Sequence, residues 1–304
     1  MDKKIFGIDI GGSSVKYGIA DQDGSITCTG AFPVSGDMGR QAFLDKLSSL
    51  CLEAREQGAQ GLGISTLGLV DSRTGTIVGG AENLPFLIGA NLKEALGSVF
   101  NRDHICVHND ADCFALGELW KGNAQDARSF FCLALGTGIG GSLVIDGALV
   151  QGPHFRTGEV GYFDYENSDD YWEKRYSTKT FMAAVGEGLG IPSLSGREFM
   201  DRIRKGDPLC AKAMERWAAQ LGRKLANIIL LLDIDCVIIG GAVSQSSDVL
   251  MPALAKAVDA CLPPDFRGQC SIRPAKFHND SAILGAVAPL MTSGRQPWPK
   301  SSET

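Results

Sequence analysis

Short apolar runs separated by turn residues open the chain. Residues 5–10, 15–20 and 25–32 each have the apolar, partly alternating character of a β-strand. Residues 11–14 are glycine and serine, and residues 21–24 contain Asp-Gly, which is typical of a hairpin turn. The pattern predicts a three-stranded antiparallel meander.

The same arrangement recurs further along the chain. Strands are predicted at residues 130–135, 142–145 and 148–151. A glycine-rich turn, residues 136–141, joins the first two strands, and Asp146-Gly147 joins the second pair. This recurrence indicates an internal repeat, and hence two similar domains that each carry a glycine turn.

Helical periodicity alternates with buried strands elsewhere. Residues 41–57 place Phe43, Leu47, Leu50 and Ala54 at helical spacing. The other predicted elements are strands at residues 61–65, 104–107 and 236–239, and helices at 111–120, 249–261, from the cap Asp207 to Leu232, and from the cap Asp280 to Leu290. Strands followed by helices predict an α/β fold.

Composition and charge argue against nucleic-acid and membrane partners. The chain has 304 residues, a formal net charge of −6 and no run of lysine or arginine. Nucleic-acid binders usually present a basic face, so we expect no nucleic-acid partner. The first residues lack the apolar core of a signal peptide, and no apolar stretch is long enough to cross a bilayer. We therefore expect a cytoplasmic protein with no membrane partner.

Cysteine usage agrees with that compartment. The nine cysteines are scattered without a CxxC pair, and most lie in apolar runs. Free, buried thiols in a reducing compartment are the expected state. The polar, proline-containing segment at residues 295–304 is expected to fray.

Residues 136–141, Gly-Thr-Gly-Ile-Gly-Gly, match the GxGxxG spacing of dinucleotide sites. A dinucleotide-binding turn opens into a helix, whereas this one opens into a predicted strand, which argues against such a site. Glycine amides in a hairpin can also surround phosphate groups, and we favour nucleotide phosphate binding over a merely structural turn. The candidate residues are Gly136, Thr137, Gly138 and Gly140.

A carboxylate precedes the first glycine turn. Asp9 ends a buried strand, where an unpaired aspartate is costly. Beside the amides of Gly11 and Gly12 and the hydroxyl of Ser13, it can hold Mg²⁺ directly or through water, or it can only cap the turn. Lys16 either touches a phosphate or is a solvated strand lysine.

Two further carboxylates are candidates for chemistry. Asn109 and Asp110 follow a predicted strand and precede a helix, and α/β proteins bind ligands at the carboxyl ends of strands. Asp110 is either a helix N-cap or a general base that accepts a proton from a substrate hydroxyl. Glu159 lies in a glycine-containing stretch and is either a ligand contact or an ordinary surface glutamate.

Taken in order, these motifs resemble those of the ROK family of sugar kinases, a branch of the actin- and hexokinase-like ATPases. Residues 9–16 are similar to the family's first phosphate motif, residues 135–141 to its second, and residues 239–243 to its adenosine motif. Residues 63–71, 82–84, 109–110 and 157–161 are similar to its sugar-binding and catalytic segments, and residues 279–288 to the helix that returns to its small domain. The similarity covers nearly the whole chain.

The resemblance implies a two-domain α/β fold of the actin- and hexokinase-like (ribonuclease H-like) class with a central cleft. The small domain would comprise residues 1–117 plus 284–304, and the large domain residues 118–283. The implied cofactors are ATP and Mg²⁺, with Asp9 reaching the metal through water. The implied site residues are Gly68, Asn83, Asn109, Asp110 and Glu159 for the sugar, with Asp110 catalytic, and Gly240 and Gly241 for the nucleotide.

The chain departs from the family at its zinc motif. The family has a histidine followed by a cysteine cluster, whereas Tyr162 stands in the histidine position and no cysteine lies between Gly152 and Cys210. We therefore expect no structural zinc. This resembles the zinc-less branch, which includes β-glucoside kinases and some N-acetylmannosamine kinases.

One glutamate keeps its place across that departure. Glu173 retains the spacing of the family's second sugar-binding glutamate, so Glu173 and Tyr162 are both candidate sugar contacts. The intervening loop must fold back for Glu173 to reach the sugar. The aromatic side chains that we expect to hold this loop in place of the metal are Tyr162, Phe163, Tyr165, Tyr171 and Trp172.

The sequence therefore predicts an ATP-dependent kinase that phosphorylates a primary hydroxyl, O6, of a hexose, a hexose glycoside or an N-acetylhexosamine. The expected partners are sugar, ATP and a second copy of the chain in a homodimer. The alternatives are a ROK-type sugar-sensing transcriptional regulator, which in the family carries an added N-terminal helix-turn-helix, and an inactive sugar-binding homologue. The sugar stays open among glucose, a β-glucoside, N-acetylmannosamine and fructose.

Overall fold

A computed structural model describes residues 3–277 and 280–292 of the chain. Within these residues the strands are β1 (Ile5–Ile10), β2 (Ser14–Ala20), β3 (Ile26–Pro33), β4 (Leu62–Thr66), β5 (Leu69–Asp71), β6 (Thr76–Gly79), β7 (Ile105–Asn109), β8 (Phe130–Leu135), β9 (Ile139–Ile145), β10 (Ala148–Val150), β11 (Cys236–Gly240) and β12 (Ser271–Pro274). The α-helices there are α1 (Arg40–Glu56), α2 (Leu92–Ala95), α3 (Asp110–Trp120), α4 (Trp172–Tyr176), α5 (Thr178–Gly188), α6 (Gly196–Arg204), α7 (Pro208–Leu232), α8 (Ser247–Cys261) and α9 (Ser281–Thr292).

The chain divides into two compact units. Unit 1 comprises the described residues of Met1–Gln125, Gln151–Arg156 and Asn279–Thr304, and unit 2 comprises those of Asp126–Val150 and Thr157–His278. The functional domain boundaries expected at residues 117 and 284 stay a prediction.

Each unit contains a five-stranded mixed sheet. In unit 1 the order is β3-β2-β1-β4-β7, with β1–β3 antiparallel and β1, β4 and β7 parallel. In unit 2 the order is β10-β9-β8-β11-β12, with the same pattern of directions. The predicted meanders and the internal repeat are confirmed.

The core of unit 1 includes one face of α1. Its buried residues are Phe43, Leu47, Cys51 and Ala54, which follow the period of 3.6 residues per turn. Leu50, which the sequence pattern placed on this face, is only partly buried. Cys51 takes its place because it lies one turn after Leu47 on the same side of the helix.

The last helix packs closely within unit 1. A Cβ on Gly63 would lie 2.2 Å from the Ala286 carbonyl oxygen, and a Cβ on Gly285 would lie 1.6 Å from that of Cys113. Glycine at both positions therefore lets the α9 backbone approach β4 and α3 directly. The return of this helix to unit 1 is as the resemblance predicted. Asn279 and the tail at residues 295–304 lie outside the described residues.

The long helix of unit 2 begins as the sequence predicts. Asp207 Oδ1 accepts hydrogen bonds from the backbone N–H groups of Leu209 and Cys210, at 3.0 and 3.2 Å, and Pro208 occupies the first helical position. Its buried stripe contributes Trp217, Leu221 and neighbouring side chains to the unit 2 core. No helix among the described residues combines the length and the hydropathy needed to cross a membrane.

The thiols are free, as expected, but not all are buried. Cys51, Cys113, Cys132, Cys210 and Cys236 are buried. Cys28 and Cys261 are exposed, which corrects the expectation of burial for these two. Cys28 lies on the edge strand β3, and Cys261 is the last residue of α8, so neither position faces a core.

Candidate functional site

Parallel strand ends bring the predicted carboxylates of unit 1 to one edge of its sheet. The register pairs Asp9 of β1 with Ser65 of β4, and Thr66 of β4 with Asn109 of β7. Ser65 Oγ donates a hydrogen bond to Asp9 Oδ1 at 3.0 Å. Because Asp110 directly follows Asn109, both aspartates belong to the carboxyl edge of three neighbouring strands, where α/β folds bind ligands.

Asp9 is a partly buried carboxylate with a lysine opposite it. Burial raises the pKa of Asp9, while the Ser65 hydrogen bond and the positive charge of Lys16 lower it. Lys16 lies directly across the β1–β2 pair from Asp9. A carboxylate beside the Gly11-Gly12 turn provides a hard oxygen ligand, which suits Mg²⁺ held largely through water.

Asn109, not Asp110, caps the helix that follows β7. Asn109 Oδ1 accepts a hydrogen bond from the Asp112 N–H at 2.7 Å, and Asp110 is the first residue of α3. The N-cap alternative for Asp110 is therefore wrong, although Asp110 Oδ1 does accept from the Ala111 N–H at 2.9 Å. Because Asn109 is the cap, the Asp110 carboxylate remains a candidate proton acceptor.

The surroundings of Asp110 strengthen it as a base. Burial among protein atoms raises the pKa of Asp110, the Ala111 N–H lowers it, and the negative charges of Asp9 and Asp112 raise it. Asp110 is nevertheless open to solvent, as a base that must reach a substrate has to be. A raised pKa brings the carboxyl closer to the operating pH, where general bases work best.

The predicted sugar-binding segments of unit 1 lie beside the first glycine turn. A Cβ on Gly12 would lie 2.9 Å from Asn83 Nδ2, so the asparagine contacts the turn. Gly68 has φ +92°, and its Cβ would lie 2.6 Å from the Gly79 carbonyl oxygen, so the β4–β5 turn requires glycine. This gives Gly68 a structural role. The contacts of Asn83 and Gly68 with a sugar stay predictions.

A bridging glutamine in unit 1 was missed by the sequence analysis. Gln151 Nε2 donates to Asp112 Oδ2 at 2.7 Å, and Ser72 Oγ donates to Gln151 Oε1. Asp112 in turn donates its N–H to Asn109, so Gln151 supports the start of α3, where Asp110 lies. Nothing in the local sequence marks Gln151, because its partners are 39 and 79 positions away.

In unit 2 the second glycine turn is shorter than predicted. It covers Gly136, Thr137 and Gly138, with the Gly136 N–H donating to the Gly138 carbonyl at 3.0 Å. Strand β9 begins at Ile139, so the prediction that the turn continues through Gly140 to residue 141 is wrong. Pairing of Ala134 with Gly140 draws that glycine into the sheet.

The predicted adenosine motif lies against this turn. Strand β11, which ends at Gly240, is the parallel neighbour of β8. Gly241 has φ +92°, and its Cβ would lie 1.9 Å from the Leu135 carbonyl oxygen. The two glycine motifs of unit 2 therefore meet at one edge of the sheet, and this contact needs glycine.

Glu173 lies on the same turn. Its Oε2 accepts a hydrogen bond from the Ile139 N–H at 2.7 Å, and a Cβ on Gly138 would lie 2.5 Å from that oxygen. A Cβ on Gly161 would lie 3.3 Å from it. Glu173 thus joins the glycine turn to the segment that carries Glu159. Its contact with a sugar stays a prediction.

The segment containing Glu159 packs against β9. Gly158 has φ +92°, and its Cβ would lie 2.2 Å from the Gly141 carbonyl oxygen. Glu159 is exposed and precedes a short 3₁₀ turn, Val160–Tyr162. Glu159, Tyr162 and Glu173 are therefore brought into one small part of unit 2.

The predicted aromatic cluster is present between these residues. Tyr171 stacks with Tyr162 and Tyr165 at centroid distances of 5.0 and 5.9 Å. Phe163 packs against Trp172 at 6.0 Å. A separate cavity of about 600 Å³ lies among α4, α5 and α7 and contains none of the predicted site residues.

Comparison with known proteins agrees with this arrangement. The chain matches the ROK family over residues 5–292. It is 31% identical to a β-glucoside kinase of Listeria innocua, across 93% of this chain and 96% of the relative. It is 28% identical to an N-acetyl-D-glucosamine kinase of Escherichia coli (85% and 88%) and 26% identical to a glucokinase of Thermotoga maritima (94% and 96%).

Solved structures share the fold over nearly their whole length. A protein of Cytophaga hutchinsonii superposes with a TM-score of 0.85 at 28% identity, across 95% of this chain and 99% of that one. A ROK family protein of Streptococcus pneumoniae, solved in complex with sucrose, gives 0.82 at 28% identity, across 97% and 100%.

The two matching sheets, the glycine turns and the strand-end carboxylates define an α/β protein of the actin- and hexokinase-like ATPase class. Within that class, the chain belongs to the ROK family. The fold class and the family that the sequence predicted are confirmed.

Proposed function

We propose that this chain transfers the γ-phosphoryl group of ATP to a primary hydroxyl, O6, of a hexose, a hexose glycoside or an N-acetylhexosamine. Its class as a carbohydrate kinase follows from the family and from relatives named as kinases of β-glucosides, glucose and N-acetylglucosamine. The donor, the acceptor oxygen and the residue roles are the proposal.

One observation carries the proposal. Asp9 lies near the carboxyl end of β1 and Asp110 directly follows β7, and both of these parallel strands pair with β4. Asp110 is solvent-accessible, and burial and the charge of Asp9 raise its pKa. In the mechanism, Asp110 accepts the proton of the sugar hydroxyl while the hydroxyl oxygen attacks the γ-phosphorus and ADP leaves. Asn109 keeps Asp110 at the first position of α3.

Phosphoryl transfer needs positioning and charge stabilisation more than covalent catalysis. The glycine residues of the first turn (Gly11, Gly12) and of the second (Gly136, Gly138) carry no side chain, so phosphate oxygens can approach the backbone of both turns closely. Gly240 and Gly241 are the proposed adenosine contacts. Asn83, Glu159, Tyr162 and Glu173, with Asn109 and Gly68, are the proposed sugar contacts.

The residues at the first turn fit a magnesium ion. Asp9 on β1 would hold Mg²⁺, mainly through water. Ser13 lies in the turn between β1 and β2, and Lys16 lies on β2 opposite Asp9. Bound there, the metal supplies neutralisation of the charge on the phosphate oxygens. Asp9 and Lys16 themselves orient the phosphate chain for attack.

Product analysis tests this proposal. The chain is incubated with ATP, Mg²⁺ and each sugar of a panel, and the product is examined by phosphorus–proton correlation NMR. The proposal expects a phosphate coupled to the protons of the primary carbon, C6. A phosphate on the anomeric carbon or on a secondary hydroxyl would contradict the assignment of O6.

A further inference from the structure

Three tyrosines of unit 2 form a stacked surface, which we call the tyrosine platform: Tyr162, Tyr165 and Tyr171. Tyr171 stacks with both of the others, at 5.0 Å from Tyr162 and 5.9 Å from Tyr165, with interplanar angles of 25° and 26°. The Tyr162 and Tyr165 rings are tilted 50° to each other. Tyr171 is only 8% exposed, whereas Tyr162 and Tyr165 are 56% and 58% exposed. A buried ring thus fixes the orientation of two open ones.

Holding the loop does not explain the open rings. Trp172 is fully buried and packs against Phe163, and the backbone N–H of Trp172 donates to the Phe163 carbonyl at 2.8 Å. These contacts anchor the loop to the unit 2 core. More than half of Tyr162 and Tyr165 remains in water, and clustered exposed aromatic surface usually marks a binding site.

The tyrosine platform lies next to the proposed sugar contact Glu159. Tyr162 is the last residue of the 3₁₀ turn that follows Glu159, and its N–H donates to the Glu159 carbonyl at 3.3 Å. The Tyr165 ring lies 6.4 Å from the Tyr162 ring. A group attached to a sugar at Glu159 would therefore meet Tyr162 first and Tyr165 beyond it.

Two basic side chains around the platform are paired with aspartates, and a third lies against one of its rings. Lys224 Nζ pairs with Asp164 at 2.5 Å, and Arg175 pairs with Asp170. Another basic side chain, Lys174, lies against the platform itself, with its Nζ 5.7 Å from the centre of the Tyr171 ring. Tyrosine presents an apolar face with a hydroxyl at its rim, which matches a pyranose ring or an aryl group.

We propose that the tyrosine platform is a subsite for the aglycone of a β-glycoside, that is, for a second sugar ring or an aryl group linked to the sugar that is phosphorylated. The proposal rests on the proposed function and narrows its substrate class. The aglycone lies over Tyr162 and Tyr165, while the primary hydroxyl of the first sugar remains the acceptor. A free hexose leaves the platform in water.

The test compares kcat/KM for a glycoside with kcat/KM for its free parent sugar. The substrates are glucose, mannose and N-acetylglucosamine, each paired with its phenyl β-glycoside, together with cellobiose as the β-linked disaccharide of glucose. The wild-type chain is expected to prefer the glycoside by at least tenfold. Tyr165→Ala is expected to lower the glycoside-to-free-sugar ratio at least fivefold, and Tyr165→Phe to keep it within twofold.

Two further variants separate ring stacking from loop stability. Tyr165→Leu keeps bulk without an aromatic face and is expected to behave like Tyr165→Ala. Phe266→Ala removes an aromatic side chain that is 50% exposed elsewhere in unit 2 and is expected to leave the ratio within twofold of wild type. Melting temperatures of all variants are recorded, and the leucine variant decides the matter if the alanine variant is less stable.

The outcomes are distinct. An unchanged ratio in Tyr165→Ala and Tyr165→Leu, or turnover of free sugars without turnover of any glycoside, overturns the subsite and leaves the kinase proposal standing. An equal loss on glycosides and free sugars in Tyr165→Leu also overturns it. A wild-type chain that phosphorylates no sugar of the panel overturns both proposals.

Discussion

Asp110 combines the two properties that a base in phosphoryl transfer needs. It is accessible to solvent, and burial together with the charge of Asp9 raises its pKa. Its neighbour Asn109 supplies the helix cap, so the Asp110 side chain is not needed for capping and is available to accept a proton. One pair of residues thus divides the structural and the chemical roles.

Replacing Asp110 by asparagine removes the base and keeps its shape. We expect Asp110→Asn to lower kcat by about 10²–10⁴, the usual contribution of a general base, while the sugar dissociation constant changes by less than about threefold. Steady-state kinetics and equilibrium sugar binding check this. Turnover within threefold of wild type would remove Asp110 from the catalytic role.

The same substitution bears on stability. The pKa of Asp110 is raised above its usual 3.8 by burial, so the folded state binds the proton more tightly than the unfolded state. Ionising Asp110 therefore lowers the free energy of unfolding. This loss is absent at a pH below the usual pKa and complete at a pH above the raised pKa. Asp110→Asn is therefore expected to raise the melting temperature at pH 7, by an amount that shrinks as the pH falls toward about 4.

Calorimetry at pH 7 and pH 5 measures that effect. Asp45→Asn, on the exposed side of α1, is the matched control, because it makes the same chemical change at a surface position. A stabilisation that grows at the lower pH would contradict the assigned direction of the Asp110 shift.

At the scale of elements, the glycine turn of unit 2 is held by its neighbours. Glu173 at the start of α4 accepts from the Ile139 N–H, and Gly241 after β11 contacts Leu135. The proposed phosphate and adenosine contacts are thereby fixed relative to each other. Glu173 also lies close to Gly161, two residues after Glu159.

Substitutions of the two glutamates separate sugar binding from turn positioning. Glu159→Gln and Glu173→Gln are each expected to raise KM for the sugar at least tenfold and to change KM for ATP less than threefold, since a hydrogen bond to a charged acceptor is worth about 1.5–3 kcal/mol. Glutamine keeps an oxygen for the Ile139 N–H. Glu173→Ala does not, and is expected to raise KM for ATP as well.

Comparing KM for the sugar with KM for ATP in these variants distinguishes the two roles of Glu173. An unchanged sugar KM in Glu173→Gln would leave Glu173 with the turn alone. An unchanged ATP KM in Glu173→Ala would show that the turn does not need this hydrogen bond.

Elements with local signals could be predicted from the sequence. The β9–β10 hairpin is an example, because Asp146 and Gly147 have φ values of 51° and 74°, as a type I′ turn demands. The β5–β6 hairpin was missed because strands of three and four residues show too little alternation. The bonds from Gln151 to Asp112 and from Glu173 to Ile139 join distant positions, so no local pattern marks them.

At the scale of the whole molecule, the two units repeat one sheet topology. The repeat was visible because each meander depends on neighbouring residues. The parallel strands that complete each sheet, β4 and β7 in one and β11 and β12 in the other, are contributed from elsewhere in the chain. Their partners could be assigned only through the family resemblance or the structure.

Stability of the whole chain should not depend on zinc. Trp172 and Phe163 pack together in a segment that lacks the cysteines a structural zinc site needs, so we expect less than about 0.1 zinc per purified chain and an unchanged melting temperature in EDTA. Trp172→Ala, which empties this contact, is expected to lower the melting temperature clearly. Elemental analysis that finds one zinc per chain would contradict this account.

Sugar-dependent release of ADP tests the central claim most directly. The coupled assay is run with ATP, Mg²⁺ and a panel of hexoses, N-acetylhexosamines and β-glycosides, using the wild-type chain and Asp110→Asn. The account predicts ADP release that requires a sugar, matches the sugar phosphate formed, and slows by about a hundredfold or more in the variant. ADP release that no sugar stimulates, or that Asp110→Asn leaves unchanged, would contradict it.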